Sequence, residues 1–390
     1  MKTAAQAAAR LFILILSVLF VYYGNLYVSG QQHSGIVFDK ETELDTMVYA
    51  KVLSIDHIVQ DVLQPNVQEI TFTARPFWGG GDNQASMTAV QKITDPDSNV
   101  VPISVGDKVS LLAYGDQYLF QYYFRIDKIA ILGAVFILFI LLLGGLKGIS
   151  TLLSLGLTCL SVFYVFIPAI KAGCNIYLSC TVICAFIVVV TDSIVFGING
   201  KSLAAALSCI TGVLFSGLVT VVMDKSMKLT GYLNEGTYML SSLLGIENLN
   251  VKAILFSMIT IGALGAIMDM SMSVVSPLWE LKENNRAISA GALVQSGLRI
   301  GRDVMGTMTN TLILAYIGSS LTVVLMYASS NYPLISLLNK EEIIFEFLQS
   351  LVGSLSILLT IPFATILSAG MLSGKHSKNY ARMPSQHRRM

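Results

Sequence analysis

Eight times along the chain a stretch of about 20 residues runs with almost no charge, the length a helix needs to cross the hydrocarbon core of a bilayer. The stretches lie near Leu11–Tyr27, Ile129–Leu146, Ser150–Ile170, Tyr177–Phe196, Leu203–Met223, Ala253–Met272, Met308–Tyr327 and Leu351–Leu372. Composition agrees with the pattern: 54% of the residues are hydrophobic and only 13% charged, well away from a soluble globular domain. The expected fold class is a mainly α polytopic membrane protein with about eight transmembrane helices.

One segment breaks the pattern. Between residues 31 and 126, runs such as "TMVYAKVLSI", "QEITFTAR", "SMTAVQKI", "VGDKVSLLAY" and "QYLFQYYF" alternate apolar and polar positions, as half-buried strands do. Turns such as "FWGGGDN" and "DPDSN" separate them. The segment reads as a small β-rich external domain, a barrel or a sandwich, placed between the first two helices. The expected division is an amino-terminal transmembrane anchor (1–30), the β-rich domain (31–126), a seven-helix membrane domain (127–373) and a basic tail (374–390). "SVGDKV" reads as a structural turn, with Gly106 and Asp107 supplying the permissive backbone. "RPFWGGGDN" reads either as a glycine-rich hairpin or as a contact for a partner or the lipid surface.

Lys and Arg positions orient the chain, because basic loops are retained on the cytoplasmic side. Lys2 and Arg10 place the amino terminus inside, and Lys147, Lys201, Lys282, Arg286, Arg299 and Arg302 then fall on the same side, as does the tail with Lys375, Lys378 and Arg388. The expectation is a multi-pass protein of the cell membrane with both termini cytoplasmic and residues 31–126 external. The first apolar run, "LFILILSVLFVYY", reads as a retained anchor; a cleaved leader with "VSG" at its end is the alternative.

The five cysteines, Cys159, Cys174, Cys180, Cys184 and Cys209, all lie outside the β-rich segment, which excludes a disulfide scaffold there. The four histidines fall outside the apolar runs, so the cysteines read as packing residues, not metal ligands. No glycine loop with Lys and Ser or Thr for binding nucleotide is present, and neither a cofactor nor a metal is expected. The expected partners are the lipid bilayer and either a second copy or a related membrane protein, not nucleic acid.

Against this background one acid stands out. In "GALGAIMDMSMSVVSPLWE", Gly262, Gly265 or Ala266, Asp269, Ser273 and Ser276 follow at steps of three and four, so they share one helix face. Small residues on such a face favour close helix approach, and its carboxylate is expected to face protein or water instead of lipid. A second polar face follows, in which Asp303, Gly306 or Thr307 and Asn310 repeat the spacing, with Thr309 and Thr311 alongside. Arg299 lies one turn before Asp303 and Arg302 immediately before it, which predicts an intrahelical Arg299–Asp303 pair. Asp192, at the inward end of the fourth run, is expected at similar depth.

"GALGAIMDMSMSVVSPLWEL", "GLRIGRDVMGTMTNTLILAY" and "GINGKSLAAALSCITGVL" together resemble the YibE/F-like family of bacterial membrane proteins. The resemblance implies one amino-terminal helix, an external domain and a seven-helix region. It implies no established chemistry beyond the look of a transporter or permease family.

Three functions fit these residues. The first is a transporter or permease for an ion or small polar solute, using Asp269, Asp303 and Asp192 with Arg299 and Arg302 as counter-charges and oxygen ligands from Ser273, Ser276, Thr307, Thr309 and Asn310. The second is a scaffold or assembly partner in which acids and arginines pair to fix helix register. The third, an intramembrane aspartyl hydrolase, requires Asp269 and Asp303 to share a proton; their surroundings do not match known paired motifs, and no enzymatic activity is expected.

Overall fold

The computed structural model describes residues 2–30, 47–60, 67–78, 86–94, 100–114, 117–233, 236–237, 239, 250–329 and 332–380. Two of the expected turns, at 79–83 and 95–99, and the end of the basic tail lie outside the described residues. Contacts divide the chain into two compact units, Ser34–Gly145 and Met1–His33 with Leu146–Met390.

In the smaller unit, β1 (Met47–Gln60), β2 (Gln68–Trp78), β3 (Met87–Ile93), β4 (Lys108–Tyr114) and β5 (Gln117–Tyr123) close into a barrel in the order β1-β2-β3-β5-β4. All neighbours are antiparallel except β3 and β5, which pair in parallel. Each strand coincides with one of the alternating runs, because period-two alternation sends one set of side chains inward. Ala50, Val52, Phe72, Ala74, Val109 and Leu111 fill that interior. Buried Gln91 serves the backbone: its amide donates to the Val101 carbonyl (3.3 Å) and its carbonyl accepts from Ile103 N (3.0 Å). "SVGDKV" is a turn as expected, with Gly106 at φ 96° and Asp107 accepting from Ser104 N at 2.8 Å.

The larger unit is helical. It contains α1 (Lys2–Ser29), the second half of α2 (Ile126–Ser161), a π-helical turn (Val162–Phe166), α3 (Ile167–Lys171), α4 (Ile176–Phe196) and α5 (Gly200–Met227). Then follow α6 (Val251–Asn284), α7 (Ala290–Ser319), α8 (Leu321–Ser329), α9 (Leu334–Leu338) and α10 (Glu341–Tyr380). Side-chain caps start the long helices: Asn175, Asn199, Asn250 and Ser289 accept from Leu178, Ser202, Ala253 and Ala292 N–H groups.

Among the described residues, six helices are long and apolar enough to cross a membrane, or seven when α7 and α8, bent by 56° at their junction, count as one span. The difference from the expected eight lies in one place. Ile129–Leu146 and Ser150–Ile170 are counted there as one stretch, Ile126–Lys171, but the backbone is non-helical at Gly145 (φ 52°, ψ −129°), so two helices meet where the two expected runs divide. Glycine takes that positive φ without strain because it has no Cβ.

α6 and α10 form the centre of the bundle, packed on each other and on α5 and α7. Met270, Val274, Leu278, Leu293, Ile357 and Ile361 make one buried cluster there. Close approach depends on glycine at several places, Gly212 and Gly297 among them. A Cβ on Gly212 of α5 would stand 2.5 Å from Thr360 Oγ1 and 2.9 Å from Ile267, and one on Gly297 of α7 would stand 2.7 Å from Thr365.

Candidate functional site

The acids singled out from the sequence have very different surroundings. Asp192, in the last turns of α4, is only 1% exposed, and among the described residues neither carboxylate oxygen has a hydrogen-bond partner. Its neighbour Thr191 is engaged elsewhere, its hydroxyl accepting from Ser154 Oγ of α2 at 2.8 Å. α4 packs on α5 and α6 through Ile183, Cys184, Ile187 and Val188, so Asp192 is carried into that apolar junction.

Asp269 projects from the opposite face of α6. It is exposed, on a line with exposed Met258, Gly262 and Gly265, while Ile267, Met270, Ser271 and Val274 on the other faces are buried. Nothing stands within 4 Å of a Cβ placed on Gly265, whereas one on Gly262 would meet Tyr316 Oη of α7 at 2.8 Å. The Gly262–Ala266 seam is therefore in part an internal contact. Cys209 of α5 reaches the other side of α6, its Sγ 4.0 Å from the Ile267 carbonyl.

Further polar groups line the α5–α6 contact toward the helix ends. Ser208 and Ser271 share a hydrogen bond at 2.5 Å, and Ser271 also donates to the Ala205 carbonyl. Lys201 Nζ donates to Ser276 Oγ at 2.6 Å and sits 5.8 Å from the centre of the Phe196 ring. Ser276 lies two turns, about 10 Å, along α6 from Asp269. Pro277 has no N–H, so the carbonyl of half-buried Ser273 lacks its intrahelical bond and remains free to accept. Lys201, Ser208 and Ser271 were not among the expected site residues. The run of small residues "SLAAALSC" in α5 is the signal for the close helix contact that brings them together.

On α7 the expected residues divide between two edges. Tyr316 marks the edge beside α6, and Thr309 and Arg302, at steps of seven, share it. Thr309 Oγ1 is buried without a partner. Arg299, Asp303, Thr307 and Asn310 are all exposed, and the hydroxyl of Thr307 is returned to its own helix at the Val304 carbonyl.

Asp269 and Asp303 both lie about 20 Å along their helices from the α6–α7 turn, the similar depth the sequence suggests. The expected Arg299–Asp303 pair is not formed. Among the described residues, Asp269, Arg299, Arg302 and Asp303 make no side-chain hydrogen bond or ion pair. Exposed partners gain little from pairing, and nothing in the packing forces these side chains together.

Two cavities lie elsewhere. One of about 460 Å³ between α1 and α4 is walled by Phe20, Tyr27, Val165 and Leu178, and one of about 340 Å³ by Tyr177, Val213, Leu218 and Phe256. Neither is lined by Asp192 or Asp269.

The family model described as YibE/F-like protein matches residues 132–374, more than half of the chain and the whole stretch carrying these acids. No curated protein and no solved structure matches it. The match covers more than half of the chain, so the chain belongs to the YibE/F-like family, and its long apolar helices are compatible with a multi-pass membrane protein.

Proposed function

We propose that this chain is a transporter that couples to a proton or a small cation, with Asp192 as the coupling carboxylate and Asp269 on its path. The observation that carries the reading is the burial of Asp192 with both oxygens unpartnered. An ionised carboxylate in an apolar helix junction is strongly disfavoured unless a proton or a cation neutralises it. A group held at that balance binds and releases its charge as the surrounding helices move, which is what coupling requires.

Asp269 supports the same reading from the open face of α6, beside a serine carbonyl released by Pro277. Lys201 and Ser276 stand nearer the helix ends as a polar mouth. In the orientation expected from the basic loops, this polar pair lies on the cytoplasmic side. The scaffold reading would have the acids neutralised by arginines, and among the described residues no such ion pair exists. A shared-proton dyad likewise finds no hydrogen bond between Asp269 and Asp303 to rest on.

Vesicles containing the purified chain and a trapped pH indicator test the proposal under an imposed pH or cation gradient. The wild type is expected to carry a flux that Asp192→Asn abolishes and Asp192→Glu partly retains, with all three proteins eluting as single species in detergent. Undiminished flux in well-folded Asp192→Asn would remove Asp192 from the mechanism.

A further inference from the structure

α7 is poorly covered by the rest of the chain. Its buried residues are Leu293, Gly297 and Gly301, the two glycines set against Thr365 and Ile361 of α10. Asn310 follows Gly301 by nine residues, which is half a turn round the helix and away from α10. On that outer side Arg299, Asp303, Gly306, Asn310, Ile313 and Ile317 succeed one another at alternating steps of four and three. This is the spacing of a seam packed along a second helix.

Among the described residues, no helix of the same compact unit provides that helix. Arg299, Asp303, Gly306, Asn310 and Ile317 are exposed, and nothing stands within 4 Å of a Cβ placed on Gly306. The side chains of Arg299, Asp303 and Asn310 form no hydrogen bond or ion pair among the described residues. α7 and α8 pass as a membrane span only together, so lipid is a poor cover for a face bearing charges and an amide.

We infer that the outer face of α7 is the contact between two copies of this chain, related by a two-fold axis along the membrane normal. Charge complementarity selects a second copy. The seam carries both signs one turn apart: the axis sets each position level with its own image, and the long Arg299 side chain spans the offset of about 6 Å to the other copy's Asp303. The Asn310 amide both donates and accepts, so it bonds its own image, and one polar residue in such a seam fixes register. Gly306 between them lets the backbones approach. Ile313 and Ile317 close the apolar end. A self-complementary patch of this kind closes at two copies. The inference is independent of the transport reading, whose acids Asp192 and Asp269 lie on α4 and α6.

Full-length chains bearing two different tags, co-expressed and captured through one tag from solubilised membranes, test it. Arg299→Asp makes the seam wholly acidic and Asp303→Arg makes it wholly basic. Each variant is expected to capture its own kind at least about tenfold less than wild type, while the two captured together return to near wild-type yield. Equal capture in every combination, or no recovery in the mixed pair, overturns the inference. A second measurement does not depend on charge. After oxidation in membranes, Asn310→Cys is expected to yield a symmetric cross-linked peptide by mass spectrometry, and Ala315→Cys, on the other side of the helix, none. Absence of the link at position 310, or an equal yield at 315, also overturns it.

Discussion

Replacing Gly297 by alanine adds one methyl group at a tight part of the α7–α10 contact. That methyl would stand 2.7 Å from both Oγ1 and Cγ2 of Thr365 and 3.0 Å from Cδ1 of Leu278. Comfortable carbon contacts are about 3.5–4.0 Å, so two sides of the pocket must move by close to 1 Å at once. Leu278 is fully buried against Leu293 and Val274, and it has little room to retreat. Overpacking of this kind costs roughly 1–3 kcal/mol. The helix-propensity gain of alanine over glycine, about 0.5–1 kcal/mol, acts in the opposite direction and must be cancelled by a control. Gly370→Ala in α10 supplies it, since nothing lies within 4 Å of its Cβ. The two variants should therefore differ by about 1–3 kcal/mol in unfolding titrations in mixed micelles. Adding Thr365→Ala removes both clashing atoms without breaking a hydrogen bond, because Thr365 Oγ1 is buried and unpartnered, and should recover most of the loss. Equal stability of Gly297→Ala and Gly370→Ala, or a penalty unchanged by Thr365→Ala, would refute the packing argument.

Glu341, at the start of α10, accepts from Thr230 N (2.7 Å), Thr230 Oγ1 (2.8 Å) and Gly231 N (2.7 Å). Glu341→Ala should cost about 1.5–3 kcal/mol, and hydrogen exchange at the Thr230 and Gly231 amides should accelerate first. In the barrel, hydroxyls of Thr73 and Ser54 donate to Asp56 at 2.7 and 2.8 Å and hold its carboxyl below the ordinary value. A depressed folded value stabilises the barrel above the unfolded carboxylate pKa of about 3.9, and that contribution is lost as pH falls through the folded value. Thr73→Val should raise the Asp56 titration midpoint toward 4, read by NMR of the carboxyl carbon; an unmoved midpoint would rule out the hydroxyl as the cause.

The sequence by itself determined which segments are helices and which are strands. Alternation in "QEITFTAR" and "SMTAVQKI" requires one face in and one face out, and unbroken apolar runs require helices, so these elements follow from local periodicity alone. The same periodicity placed Asp269 on one line with Gly262 and Gly265, and Asp303 on one line with Gly306 and Asn310. It could not say what lies opposite either line, because spacing along a helix fixes azimuth on that helix and nothing about its neighbours. Only the tertiary structure decided that Asp192, one of three candidate acids in the sequence, is sealed into the α4–α5–α6 junction with no hydrogen-bond partner among the described residues, while Asp269 and Asp303 remain uncovered. It likewise decided that Gly297 and Gly301 turn inward to α10, which leaves the charged side of α7 facing outward. The physical reason is that burial is set by which helices pack together, and that choice depends on glycines and bulky side chains from stretches distant in sequence.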